Sequence, residues 1–285
     1  MTRIVYVNGD LLPEAEARVS VFDRGFLMAD AVYEVTSVLG GRLVDFAGHM
    51  ARLRRSMAEL DMALALGDDD LLAVHRELVA RNGVEDGMVY LQVTRGAAER
   101  DFAYPDPATP PTVVAFTQSK PGLADNPLAE RGMSVVSIPD ERWGRRDIKT
   151  TQLLYPSMGK MMARAKGADD AWMVEDGLVT EGTSNNAYIV KGDRIVTRDL
   201  GPAILAGITR AAVLRLAREM QMRVEERPFT LEEARNADEA FVTSATTFVL
   251  PVVRLDGAPV GEGTPGPVAR RLRAIYVEES RRAAI

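Results

Sequence analysis

Val179-Thr180-Glu181-Gly182-Thr183-Ser184-Asn185-Asn186 places one acid, one glycine and a run of small polar side chains among segments that read as strands. Ala171–Val174 and Leu178–Val179 precede the polar residues, and Tyr188–Val190 and Ile195–Val196 follow them. Asp176-Gly177 and Lys191-Gly192-Asp193 supply turns, so the whole is a meander. A loop of this composition delivers one carboxylate and several hydroxyl or amide donors into a cleft. The same composition is ordinary for a solvated hairpin, and alone it does not choose between the two.

Working outward, Met133–Ile138 begins the unit that holds the meander, and the spacing predicts a helix over about Pro156–Lys166. Gly207 opens an amphipathic helix whose expected apolar stripe is Ile208, Ala212, Leu216 and Met220. A late strand, Glu239–Thr243, leads to Ser244-Ala245-Thr246-Thr247, and a basic helix starts near Pro267. Toward the N-terminus, Pro, Gly, Asn and Asp cluster in 120–132, which reads as a linker. Before it, Ile4–Val7 with Asn8-Gly9, and Tyr33–Leu39 with Gly40-Gly41 and Arg42–Val44, read as hairpins. Helical periodicity follows from about Asp45, with Met50, Leu53, Met57 and Leu60 on one face, and again over Asp69–Asn82 up to Gly83. Met88–Thr94 and Thr112–Thr117 are strands joined by a loop rich in Pro and charge. The expectation is an α+β chain with domains at 1–119 and 133–285, each a mainly antiparallel sheet with helices.

Composition narrows the chemistry. The chain has 285 residues, a net charge of −6 and no cysteine. The charge argues against a general nucleic-acid surface. The missing cysteines rule out disulfide and thiolate chemistry, and a cytoplasmic setting is expected. No apolar run approaches a membrane span. With only His49 and His75, a multi-histidine metal site is not expected, and a Ser-His-Asp triad has few places for its base. An organic cofactor that carries the chemistry fits this scarcity.

Lysines are few, so Lys149 in Arg145-Arg146-Asp147-Ile148-Lys149-Thr150-Thr151 draws notice. A nucleophilic lysine must be partly neutral, which burial or nearby cations favour. An ordinary surface lysine beside a turn is the competing reading. Gly207-Ile208-Thr209-Arg210 offers unpaired helix N–H groups and a hydroxyl to a phosphate, against the plainer reading of a simple helix cap. His49 and Arg52 are helix neighbours at i, i+3, and Arg52 can add the charge a phosphate needs. His75 reads as structural or surface.

Taken in order, these segments resemble the class IV (fold type IV) aminotransferases, the group of D-amino-acid and branched-chain aminotransferases, (R)-amine transaminases and aminodeoxychorismate lyase. The resemblance also rests on Asp30-Ala31-Val32-Tyr33-Glu34-Val35, His49-Met50-Ala51-Arg52-Leu53, Val93-Thr94-Arg95-Gly96, Leu205-Ala206-Gly207-Ile208-Thr209-Arg210 and Phe241-Val242-Thr243-Ser244. It implies pyridoxal 5′-phosphate held by Lys149, which also shuttles the proton. It implies Glu181 on the pyridine nitrogen, Leu205 against the ring, and Ser184 positioning the cofactor or the lysine. It implies a phosphate site from Arg52, Gly207, Ile208, Thr209 and Ser244, with Thr246 or a backbone N–H serving where Ala245 replaces the family's usual threonine.

Tyr33-Glu34-Val35 is similar to the D-amino-acid enzymes, in which the tyrosine helps bind the substrate carboxylate. Those enzymes add an Arg-x-His from the loop after Arg-Gly, commonly from a neighbouring subunit. Here Arg100 is present and Phe102 stands where the histidine would be. The resemblance therefore implies a homodimeric, ping-pong transaminase for D-alanine- or D-glutamate-type donors and 2-oxoglutarate or pyruvate. The alternatives are an (R)-amine:pyruvate transaminase, a branched-chain aminotransferase and a lyase.

Overall fold

A computed structural model describes residues 2–285. It divides into two compact units. One holds the chain up to Leu123 together with Ile148–Gln152 and Ser280–Ile285; the other holds Ala124–Asp147 and Leu153–Glu279. The expected boundary gave all of 133–285 to one domain. Two short pieces of that range belong to the first unit because their backbones are bonded there. Thr150 bridges Val32, and Leu43 and Ile285 exchange N–H···O bonds of 2.8 and 3.0 Å.

The first unit carries strands β1 (Ile4–Val7), β2 (Asp10–Pro13), β3 (Ala31–Leu39), β4 (Arg42–Leu43), β5 (Gly87–Thr94) and β6 (Val113–Ser119). They form one antiparallel sheet in the order β2-β1-β6-β5-β3-β4. Asn8 and Gly9 turn the first hairpin with φ of 51° and 110°, the left-handed backbone that a two-residue loop requires. Helices α1 (Arg24–Met28), α2 (Phe46–Ala58) and α3 (Asp68–Arg81) complete the unit. Met50, Leu53 and Met57 are buried on α2 as expected, whereas Leu60 lies beyond its end. His75 is a buried structural side chain on α3, with Nδ1 2.7 Å from the Leu71 carbonyl oxygen. Burial holds its pKa down at about 4, so the ring is neutral at pH 7.

The second unit carries β7 (Met133–Pro139), β8 (Asp170–Glu175), β9 (Leu178–Gly182), β10 (Asn186–Lys191), β11 (Arg194–Thr197), β12 (Arg223–Glu226), β13 (Glu239–Ser244), β14 (Phe248–Leu255) and β15 (Ala258–Pro259). Eight of the nine run in the order β12-β11-β10-β13-β14-β7-β8-β9, with β15 paired to β14. The β7–β8, β7–β14 and β11–β12 pairings are parallel, so this sheet is mixed. Its helices are α4 (Pro127–Arg131), α5 (Leu154–Ala165), α6 (Ile208–Glu219), α7 (Leu231–Arg235) and, up to Glu279, α8 (Pro267–Ala283), whose last residues belong to the first unit.

Three expectations change in this unit. The meander expected over 171–196 is broken, because β9 pairs only with β8 at the sheet edge while β10 pairs with β11 and β13. The supposed linker 120–132 contains α4, begun by the Asn126 side chain accepting from Leu128 N at 3.0 Å with Pro127 in the first turn. Residues that favour turns here start a helix. On α6 the buried face is Thr209, Arg210, Val213, Leu214, Leu216 and Ala217; Ile208, Ala212 and Met220 are only half-buried. Polar Thr209 and Arg210 point inward because they have partners there, Tyr276 for the first and the Arg198 carbonyl and Glu226 for the second. A purely apolar stripe misplaces such a face. Among the described residues, no helix is long and apolar enough to cross a membrane.

Candidate active site

Lys149 sits on the short stretch that returns to the first unit. Its carbonyl accepts from Tyr33 N at 3.0 Å, its N–H reaches Ser56 Oγ at 3.3 Å, and Thr151 N donates to the Ala31 carbonyl at 3.1 Å. The lysine is thus fastened to the beginning of β3 rather than carried on a free loop. Its Nζ lies 4.2 Å from the centre of the Tyr33 ring, a cation–π distance. Tyr33 in turn stacks on Tyr90, and Tyr90 on Phe116, with centroids 5.4 and 4.9 Å apart. This aromatic row crosses β3, β5 and β6 and fixes the ring beneath the ammonium.

Arg52 stands one helical turn from Ser56 on α2, but two of its nitrogens are already engaged. Nε and Nη2 fork onto Glu34 at 2.8 and 2.7 Å, and His49 Nδ1 lies 2.7 Å from the same carboxylate. Glu34 is 1% exposed. Burial by itself raises a carboxyl pKa; the Arg52 charge and the hydrogen bonds from Arg52 and His49 outweigh it and hold Glu34 at about 2. The Glu34 carboxylate therefore sets the orientation of the arginine.

In the second unit Glu181, at the end of β9, is buried. Oε1 accepts from Arg142 Nη1; Oε2 accepts from Asn186 Nδ2 at 3.0 Å and Leu205 N at 3.1 Å. Burial pushes this carboxyl above its ordinary value, while Arg142 and the Leu205 amide pull it down. Each of these three contacts is an N–H donor, which is the environment of an ionised carboxylate. Arg142 is itself held by Asp140 at 2.7 and 2.9 Å, and Asp140 also accepts from Thr180 Oγ1 at 2.6 Å. Burial disfavours the Arg142 charge, yet Asp140 and Glu181 more than compensate and raise its pKa.

Leu205 leads to Gly207, the N-cap of α6, which has no side chain with which to cap the first-turn N–H groups. A methyl group at Gly207 would overlap Asn186 Oδ1. Because the Asn186 amide bonds both Glu181 and the Leu205 carbonyl, Gly207→Ala should push it off the carboxylate. We expect a loss of about 1–3 kcal/mol in urea unfolding; a midpoint equal to that of the parent would count against this packing.

The remaining predicted residues are less gathered. Thr209 is buried in the first turn of α6. The Ser244 hydroxyl bonds Thr247 Oγ1 at 2.6 Å, and Thr246 is half-buried in the same turn. Ser184 is exposed in the turn after β9 and bonds none of the other predicted residues. Arg100 is exposed with its guanidinium 5.6 Å from the Phe102 ring centre, and Phe102 is 83% exposed. Among the described residues, Arg100 forms no ion pair with Glu99 or Asp101, and no group of side chains is placed to hold a metal ion.

Arg142 and Asp140 carry no mark of function in the sequence, and Glu34 lies in the Tyr33-Glu34-Val35 motif without a role of its own there. Arg142 and Glu181 lie 39 residues apart, and no local pattern announces their pairing. Glu34 was within reach: an acid between apolar strand residues, with His49 and Arg52 on the following helix, calls for a partner.

Comparison with known proteins gives this arrangement its setting. The profile of Amino-transferase class IV matches residues 31–255. A D-alanine aminotransferase of Bacillus licheniformis is 41% identical over 94% of each chain. One from Staphylococcus aureus (strain MSSA476) is 38% identical, over 94% of this chain and 95% of its own. Among solved structures, the branched-chain aminotransferase of Thermoproteus uzoniensis with norvaline superposes with a TM-score of 0.86 at 25% identity, covering 98% of this chain and 94% of that one. An apolar-flanked Glu-Gly-Thr-Ser-Asn-Asn turn, an uncapped helix start and a strand-anchored lysine, inside a match of this extent, make the chain a member of the class IV amino-transferases.

Proposed function

We propose that this protein is a pyridoxal-phosphate-dependent transaminase that moves the amino group of a D-amino acid, of the D-alanine or D-glutamate type, to 2-oxoglutarate or pyruvate by a ping-pong route. The observation that carries the chemistry is Glu181, a buried carboxylate surrounded by N–H donors and followed by an uncapped helix start. The donor class is supported by the two relatives named D-alanine aminotransferases.

The donor set suits the cofactor. Glu181 would hold a proton on the ring nitrogen, and Leu205 would pack against the ring. The N–H groups of Ile208 and Thr209, the Thr209 hydroxyl, Ser244 and Thr246 would bind the phosphate, with formal charge from Arg52. When bound, the cofactor supplies an electron sink for the carbanionic charge that develops at the donor Cα. Lys149 Nζ would hold the cofactor and carry the proton taken from that carbon. Tyr33 and Arg100 would engage the donor carboxylate, and Phe102 would leave the adjoining corner apolar. Ser184 would support the lysine or the cofactor. A homodimer and a cytoplasmic location belong to the same reading, the first from the family and the second from the cysteine-free composition.

A donor screen with pyruvate and 2-oxoglutarate tests the assignment. D-Alanine should be turned over far better than L-leucine or (R)-1-phenylethylamine; the reverse order with L-leucine would make it a branched-chain enzyme, and with the amine an (R)-amine transaminase. Arg100→Ala should raise the KM for D-alanine about tenfold or more, the worth of a lost charge-assisted hydrogen bond. The KM for (R)-1-phenylethylamine should not move. Equal effects on both donors would remove Arg100 from the carboxylate site.

A further inference from the structure

The connection between β5 and β6 is long for an antiparallel pair, and it carries Arg100 and Phe102. Its base is fastened to the segment around α1: Arg24 N donates to the Gly96 carbonyl at 2.9 Å, Ala98 N to the Phe22 carbonyl at 3.3 Å, and Asp23 bridges Ala97. Gly96 has φ 95°, and a Cβ there would overlap the Pro110 carbonyl oxygen, so the two ends of the loop run against each other.

Farther out, one buried side chain holds the loop. Arg24 Nε bonds Asp30 Oδ2 at 2.7 Å, and its Nη1 donates to the carbonyls of Asp101 at 2.7 Å and Ala103 at 3.2 Å. Those two carbonyls bracket Phe102. Arg95 Nε shares the same Asp30 oxygen at 2.7 Å, and its guanidinium lies 3.6 Å from the centre of the Tyr104 ring. Residues 101, 103 and 104 are therefore tied down through their backbone or ring, while the exposed Phe102 lies between these ties and the exposed Arg100 between them and the bond of Ala98 to Phe22. Arg24 is only 4% exposed, and its hydrogen bonds to two loop carbonyls and one carboxylate offset the cost of burying its charge. Pairing with Asp30 alone needs no reach to the loop.

We infer that Arg24 is the positioning residue of segment 99–104, and that through this segment it sets how well Arg100 recognises the donor carboxylate. The inference rests on the carboxylate role proposed above for Arg100. Arg24→Lys is the informative variant: it keeps a positive charge for Asp30, but an ammonium lacks the planar fork that spans a carboxylate and two carbonyls.

The test combines hydrogen exchange by mass spectrometry on the holoenzyme with steady-state kinetics. In Arg24→Lys, amides of 99–104 should exchange about tenfold faster while the rest of the first unit keeps its protection. The KM for D-alanine should rise about fivefold with kcat within about twofold, and the KM for (R)-1-phenylethylamine should stay put. In an Arg100→Ala background, Arg24→Lys should add no further increase in the D-alanine KM. Unchanged exchange at 99–104 overturns the positioning role. Equal KM changes for both donors, or multiplicative losses in the double variant, overturn the link to Arg100. A failure of the Arg100 assignment itself is recognised separately, because Arg100→Ala alone would then leave the D-alanine KM unchanged while Arg24→Lys still loosened the loop. Should Arg24→Lys fail to fold, Asp30→Asn releases the same guanidinium from its anchor, and unchanged exchange at 99–104 in that variant overturns the proposal equally.

Discussion

Lys149→Ala should lower transamination of D-alanine by about 10³-fold or more, because in the role proposed for Lys149 one substitution would remove both the cofactor's attachment and the group that moves the proton. The backbone bonds that hold residue 149 to Tyr33 and Ser56 do not use the side chain, so the variant should fold. Borohydride reduction of the parent holoenzyme should leave the cofactor's mass on the peptide containing Lys149, and on none containing Lys160 or Lys166. Lys160 is a useful control because its Nζ is engaged with buried Asp170 at 3.0 Å. Label on another lysine, or Lys149→Ala retaining parental turnover, would end the assignment.

Glu34→Gln should destabilise the protein by about 3–5 kcal/mol at pH 7, because it leaves the Arg52 guanidinium buried without its counter-charge. The pH dependence has a definite sign. Folding lowers the Glu34 pKa from 4.5 to about 2. The carboxylate therefore contributes its full stabilisation above pH 4.5, and loses it as the pH falls toward 2. The shift corresponds to roughly 3 kcal/mol across that window. Urea midpoints at pH 7 and pH 3 should thus diverge in the parent and move closer together in Glu34→Gln. A variant with the parent's acid limb would show that another group drives acid unfolding.

Local chemistry was the legible part of this chain. Asn8-Gly9 turns a hairpin because both residues adopt left-handed backbone, and α2 buries Met50, Leu53 and Met57 because their spacing lines one face. Strand β14 escaped the reading because Pro251 interrupts it. The proline is tolerated because pairing with β7 begins only at Val252, so its missing N–H removes no bond on that side. The site divides in the same way. Lys149, Glu181 and the Gly207 helix start drew notice because each sits in a distinctive run of residues, though each run alone also allowed a plainer reading. Arg142 on Glu181 and Arg24 on the loop carbonyls did not, because pairing across 39 and 77 residues is set by tertiary folding. Arg100 is the opposite case: the sequence marks it, while the structure leaves it on an exposed loop tip.

The return of 148–152 and 280–285 to the first unit bears on how the molecule is made. Leu43 waits for Ile285, and Arg42 for the carbonyls of Arg281 and Ala284. A ribosome delivers those partners only after most of the remaining chain has emerged. The first unit therefore cannot finish folding in the order of its synthesis, and its early hairpins must stay compatible with a late arrival. Lys149 is caught in the same schedule, since β3 is ready long before the residue it anchors exists.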